Sequence, residues 1–148
     1  MGKIEAINIT NISDENTFYI NHAILEKGKG IVNDRYYENF KEKKEQITLI
    51  ELEHINNFNN QIKRNIDAKD FRRNIIVSSI NLNGLINKKI KINDVTLKIH
   101  EICQPCKYLQ NRLKIPGLVK MLVNKSGVRA EILSSGSLSV GNVIKILK

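Results

Sequence analysis

Tryptophan is missing from this 148-residue chain, which also has only two cysteines, two prolines and eight aromatic side chains. Two cysteines cannot build a disulfide framework. Scarce proline, with no Ser-rich stretch, no low-complexity tail and no fixed-period repeat, leaves nothing to act as a linker and points to one domain over residues 1–148. No apolar run approaches the roughly 18 to 20 residues of a membrane helix. The opening Met1-Gly2-Lys3-Ile4-Glu5 meets an acid before any apolar core of a signal peptide can form, so the expected compartment is the cytoplasm. Neither GxxxxGK[ST] nor GxGxxG occurs, which removes the common phosphate loops. No flavin, haem or iron–sulfur motif is present, and a pyridoxal-phosphate domain does not fit in this length. The aromatics are not set in a stacking pattern on one strand, which argues against a nucleic-acid partner.

What is abundant is Ile (24), Asn (19) and Lys (18), in a chain whose 24 basic and 15 acidic residues sum to a net charge of +9. An excess of this size suggests an anionic partner. Most of the cations are Lys and are scattered, which weakens that suggestion and favours a solvated lysine surface as the source of the sum. The densest run, Lys41-Glu42-Lys43-Lys44-Glu45, mixes signs and has the character of a polar loop.

Short runs rich in Ile and Val, bounded by Gly, Asn or Asp, predict strands over residues 3–10, 23–26, 46–50, 74–78, 89–92, 95–102, 128–133 and 143–147. Asn93-Asp94 separates two alternating runs and predicts a tight hairpin. Residues 51–66 place Leu52, Ile55, Phe58, Ile62 and Ile66 three and four apart, the apolar stripe of an amphipathic helix with an acidic start. A shorter helix is expected over 105–113, with Pro105 at its first position, and another turn or two over 118–123. The expected architecture is mainly β: a closed or half-closed barrel with one amphipathic helix and one or two short helices packed on it.

Both cysteines lie in His100-Glu101-Ile102-Cys103-Gln104-Pro105-Cys106-Lys107, between a predicted strand and a predicted helix. A thiol there, beside Lys107, is in electropositive surroundings that favour the thiolate. Three chemistries can use it: a redox dithiol, although the early βαβ unit of thioredoxins is missing; zinc, with His100, Cys103 and Cys106 at ligand-like spacing but no second CxxC; or one thiolate on a softer metal such as molybdenum. The plain alternative is two small, half-buried hydrophobes. Phe71-Arg72-Arg73-Asn74-Ile75 offers paired guanidinium groups beside an amide, which suit a phosphate or carboxylate, or else an exposed edge paired to Asp67 or Asp70. Arg129 is a third strand-edge arginine. Asp34-Arg35, after Gly28 and Gly30, is either a buried structural pair or part of a pocket wall. Gly127 to Leu133 with Gly136 and Val140 to Val143 need be no more than two strands and a turn.

Five segments, taken in order, resemble the MOSC domain, the module at the C-terminus of molybdenum cofactor sulfurases that also occurs as small free-standing bacterial proteins. They are Gly30-Ile31-Val32-Asn33-Asp34-Arg35; Gln46-Ile47-Thr48-Leu49-Ile50 with Glu53; Phe71-Arg72-Arg73-Asn74-Ile75; Pro105-Cys106-Lys107-Tyr108-Leu109; and Gly127-Val128-Arg129-Ala130 with Gly136 and Gly141. The resemblance implies a MOSC-like β-barrel and a pocket for molybdenum cofactor, a pterin with a dithiolene and a terminal phosphate. By position, it implies that Cys106 is the thiol that holds metal or transferable sulfur, with Cys103 as the second candidate. It further implies that Arg72, Arg73 and Asn74 line the cofactor pocket, with Lys107 and Arg129 as further anion-side residues. Three positions depart from the family pattern: Asn33 stands for Gly, Tyr36 for His and Asn142 for Asp.

The function implied is a cytoplasmic protein that carries the cofactor, transfers sulfur to it, or uses it to reduce N-hydroxylated compounds. Its partners would be a molybdoenzyme or an electron-donor protein. The competing class is a non-enzymatic basic β-barrel that binds nucleic acid or protein.

Overall fold

The computed structural model describes residues 1–12 and 15–148. Its strands and helices are β1 (Lys3–Ile9), β2 (Phe18–Ile20), β3 (His22–Glu26), β4 (Gly30–Ile31), β5 (Ile47–Glu51), α1 (Leu52–Ile62), β6 (Ile75–Ser78), β7 (Lys89–Ile92), β8 (Val95–Ile102), α2 (Lys107–Leu113), α3 (Leu118–Met121), β9 (Val128–Ile132), β10 (Gly136–Ser139) and β11 (Ile144–Ile146). Eight strands form one curled sheet in the order β11-β7-β8-β9-β5-β6-β1-β2, and β10-β3-β4 form a second. Near Lys3 and Val143 the start of β1 meets the segment before β11: Ile4 N donates to Asn142 O at 2.9 Å and Gly141 N to Ile4 O at 2.8 Å. The sheet is thereby a half-closed barrel, as the alternating apolar runs predict.

Alternation along each strand divides the apolar residues between two cores. Ile7, Leu49, Ile75, Leu97 and Val128 face inward into the larger one and are fully buried. Ile50 and Ile76 face outward, where α1, α2 and α3 cover them with Ile55, Phe58, Leu109 and Leu118. Phe58 and Phe71 meet edge to face at 5.7 Å in this outer core. β5 is therefore buried along its whole length, and its parallel pairing with β6 is bridged by the crossover that contains α1. Bulges in β1 between Ile4 and Ala6, and in β8 between Ile99 and Glu101, add the curl.

The Asn93-Asp94 hairpin forms as expected, with Ile92 opposite Val95 and Asn93 at φ 52°. Two helices are shorter than their sequence patterns. α1 stops at Ile62 because Lys63 turns left-handed at φ 54°. The Asn59 side chain then holds Ile66 by donating to its carbonyl at 2.9 Å and accepting from its N–H at 3.1 Å. α2 starts at Lys107, so Pro105 precedes the helix and Cys106 caps it.

Candidate cofactor cleft

Three pieces of chain converge on a cleft of about 300 Å³, lined by Arg35, Tyr36, Phe71, Arg72, Arg73, Cys106, Tyr108 and Leu109. Three of these described lining residues are cationic and none is acidic.

Arg35 and Tyr36 come from the turn after β4. Asn33 enters the left-handed region at φ 73°, which Asn tolerates better than most residues, and Asp34 N donates to Ile31 O at 3.0 Å. The turn then wraps around the buried Asp34 carboxylate. That group accepts from Thr10 N at 3.2 Å and Tyr36 N at 3.4 Å, with Arg35 Nη1 at 3.7 Å. Burial pushes the Asp34 carboxyl above its ordinary pKa, opposed by the Arg35 charge and the two N–H groups. The two alternatives for Asp34-Arg35 are thus both realised: the pair is buried, and Arg35 is also part of the wall.

Arg72 and Arg73 follow a 3-10 turn over Ala68–Phe71. Arg72 is left-handed at φ 64° and presents its carbonyl to Arg35 Nη2 at 2.9 Å. Its own Nη1 donates to Glu15 O at 2.6 Å. Burial, then the neighbouring charges of Arg35 and Arg112, lower its pKa, as expected where guanidinium groups gather. Arg73 is anchored to the loop before β9, with Nε donating to Ser126 O at 2.7 Å and Nη2 to Ser126 Oγ at 2.9 Å. It reaches the cysteine segment at Gln104 O, 3.4 Å away.

Cys106 and Tyr108 enter from the start of α2. Cys106 is an exposed free thiol on the cleft, whereas Cys103 is a free thiol only 1% exposed. Cys103 N donates to Gly127 O at 2.8 Å, which ties the segment to β9. Both tyrosine rings lie against guanidinium groups: Arg35 over Tyr36 at 4.4 Å, and Arg72 over Tyr108 at 5.8 Å.

Of the residues singled out in the sequence, the cleft brings together Cys106, Arg35, Arg72 and Arg73. Asn74 is fully buried beneath it. Its Oδ1 accepts from Thr48 N at 3.0 Å and from Thr48 Oγ1 at 3.2 Å, and its Nδ2 donates to Asn8 O at 3.2 Å. It braces β1, β5 and β6 together, where the resemblance implied a lining residue. Lys107 is exposed and outside the lining; Arg129 also lies outside it, half-buried on β9 opposite Thr48 with Nε 3.7 Å from Glu101 Oε1. Tyr36 and Tyr108 carry ring contacts that no sequence pattern announces; adjacency to Arg35 and Cys106 was the available signal. His100 is engaged with Glu131 at 2.9 Å. Among the described residues no three His, Cys, Asp or Glu side chains converge as metal ligands, so a closed tetrahedral zinc site has no donor set there.

The molecule is thus a curled half-barrel carrying an arginine-walled cleft with one accessible thiol, Cys106. The MOSC domain profile matches residues 36–145, and the chain belongs to that family. In fold it is similar to the YuaD protein from Bacillus subtilis, at 18% identity and TM-score 0.82 over 99% of this chain and 96% of that one. It is also similar to YiiM from Geobacillus stearothermophilus, at 16% and 0.82 over 100% of this chain and 76% of that one. A further similar structure is YiiM from Escherichia coli, at 11% and 0.76 over 99% and 70%. No curated protein matches in sequence. Among the described residues no helix is long and apolar enough to cross a membrane.

Proposed function

We propose that this chain binds molybdenum cofactor in the cleft, with the Cys106 thiolate as its one protein ligand to the metal. The observation that carries this reading is the placement of the exposed cysteine in one cleft with Arg35, Arg72 and Arg73. The donor set fits the group. Guanidinium forks suit a phosphate, a single thiolate suits a soft metal whose other sulfur ligands arrive with the pterin, and no convergent set of protein ligands is then needed. When bound, the molybdenum supplies two-electron oxygen-atom or sulfur chemistry. The protein's own part is positional: Arg72 and Arg73 neutralise the anion, Ser126 fixes the reach of Arg73, and Tyr36 and Tyr108 flank the opening.

On this reading the protein carries the cofactor or transfers sulfur to it, or reduces N-hydroxylated compounds in the cytoplasm with electrons from a separate donor protein. Tyr36 stands where relatives often have His, and a phenol there offers no imidazole for proton transfer near neutral pH.

The test is elemental analysis with pterin fluorescence on protein made in a host competent for cofactor synthesis. Molybdenum and pterin near one per chain, lost in Cys106→Ala and retained in Cys103→Ala, are expected. Wild-type protein free of both, or equal loading of Cys106→Ala, would overturn the assignment.

A further inference from the structure

β11 is the last strand of the large sheet, and among the described residues no other strand covers its far edge past Ile144. Ile144 N donates away from β7 to Gly2 O at 2.8 Å, while Leu147 N donates toward β7, to Lys89 O at 3.0 Å. Backbone groups alternate sides along a strand, so Ile146 directs its N–H and C=O outward, on the side of Gly2. Its side chain is 52% exposed. Between this edge and the chain's start runs a groove of about 690 Å³, lined largely by Met1, Ile80, Leu85, Ile144 and Ile146.

Lysines surround the edge. Lys145 lies directly opposite Lys91 on β7, and Lys89 lies opposite Lys98 on β8. Lys88 and Lys148 flank a neighbouring hollow with Ile146 and Leu147. None of these six is in an ion pair among the described residues. Like charges placed directly opposite across strands are destabilising. β7 and β11 carry no acid, and of the six lysines only Lys98 lies opposite one, Glu131 on β9. They carry no aromatic side chain either, so this face lacks the platforms on which bases stack.

We propose that the open edge of β11 docks an acidic protein segment. The segment adds as a strand beside Ile146, sets alternate apolar side chains in the groove and lays its carboxylates over the lysines. This is independent of the cofactor assignment, since the cleft is built from other elements.

The test uses the full chain and an acetylated peptide of about ten residues alternating Glu and Val, with a Lys-for-Glu peptide as control, followed by fluorescence anisotropy. The acidic peptide is expected to bind, and binding should weaken about tenfold in the Lys91→Glu/Lys145→Glu variant and with added salt. Ile146→Pro removes the outward N–H without touching the β7 ladder and should abolish binding while leaving every charge in place. Thermal melts check folding, and Lys91→Gln/Lys145→Gln, with a smaller expected loss, stands in should the charge-reversed protein not fold. No binding of the acidic peptide, or binding indifferent to Ile146→Pro, would overturn the proposal. So would tighter, equally lysine-dependent binding of a DNA oligonucleotide. Molybdenum loading should be the same in all these variants.

Discussion

The two cysteines show how unlike two neighbouring side chains of one kind can be. Cys103 is sealed in the fold and Cys106 faces the cleft. Cys103→Ala should therefore cost about 1 kcal/mol of stability through lost packing, read as a lower melting temperature, with cofactor loading kept. Tyr19 supplies a pH-dependent clip. Its hydroxyl bonds to Asp67, which in turn accepts from Lys69 N at 3.2 Å in the turn leading to Arg72. Burial and the Asp67 contact push the phenol up to about 12, and the Tyr19 hydrogen bond holds Asp67 below its ordinary value. The phenol's contribution to stability is whole below its ordinary pKa of about 10 and is lost as pH rises through about 12. The carboxylate's contribution is present above its unfolded pKa and is lost as pH falls through the depressed folded one. Tyr19→Phe should flatten both arms of a melting-temperature-against-pH curve; an unchanged curve would sink the clip. Arg72, Arg73 and Cys106 could be picked out as candidates because forked cations and a thiol stand out in a sequence, and the fold brings the three to one cleft. Asn74 was not, since a lining amide and a bracing amide look alike until the fold shows which groups surround them.

Among the elements, the parallel pair β5 and β6 with β9 alongside forms the floor on which the cleft stands. Asn74→Ala would leave Thr48 N–H and Asn8 C=O unpaired in the interior. It should cost about 2 to 4 kcal/mol by denaturant unfolding; a change well below this would show that water replaces the amide. Gly127 is a harsher constraint. At φ +93° a Cβ would come within 2.0 Å of Leu49 O, so β9 could not stay against β5, and Gly127 O also anchors Cys103 N. Gly127→Ala should cost about 4 kcal/mol or more, seen as protein that does not purify folded or melts far lower. Long alternating runs such as β8 were evident from sequence, because eight residues suffice to show a period of two. Phe18–Ile20, Gly30–Ile31 and Gly136–Ser139 were not expected as strands: two to four residues cannot display a period, and their pairing is set by partners distant in sequence. The end of α1 was hidden for a related reason. The apolar spacing continues to Ile66, but Asn59 folds that residue back onto the helix instead of into another turn.

At the scale of the whole molecule, the half-barrel keeps the two proposed sites apart. The loops after β4, before β6 and at the start of α2 build an anion-and-thiol cleft, while β11 leaves an open, lysine-flanked edge. The barrel supplies a rigid frame whose inner core holds the loops' ends at fixed spacing, which is what a site made from three separate segments needs. Membership of the MOSC family supports molybdenum cofactor as the proposed ligand of the cleft, and Cys106 and the arginines are the residues proposed to meet it. The most direct test of this is alkylation of Cys106 by iodoacetamide, followed by mass spectrometry, in cofactor-loaded and cofactor-free protein, with buried Cys103 as the internal control. The account predicts rapid modification of Cys106 in the free protein and strong protection in the loaded one. Equal reactivity of Cys106 in both, with molybdenum and pterin present in the loaded sample, would contradict it.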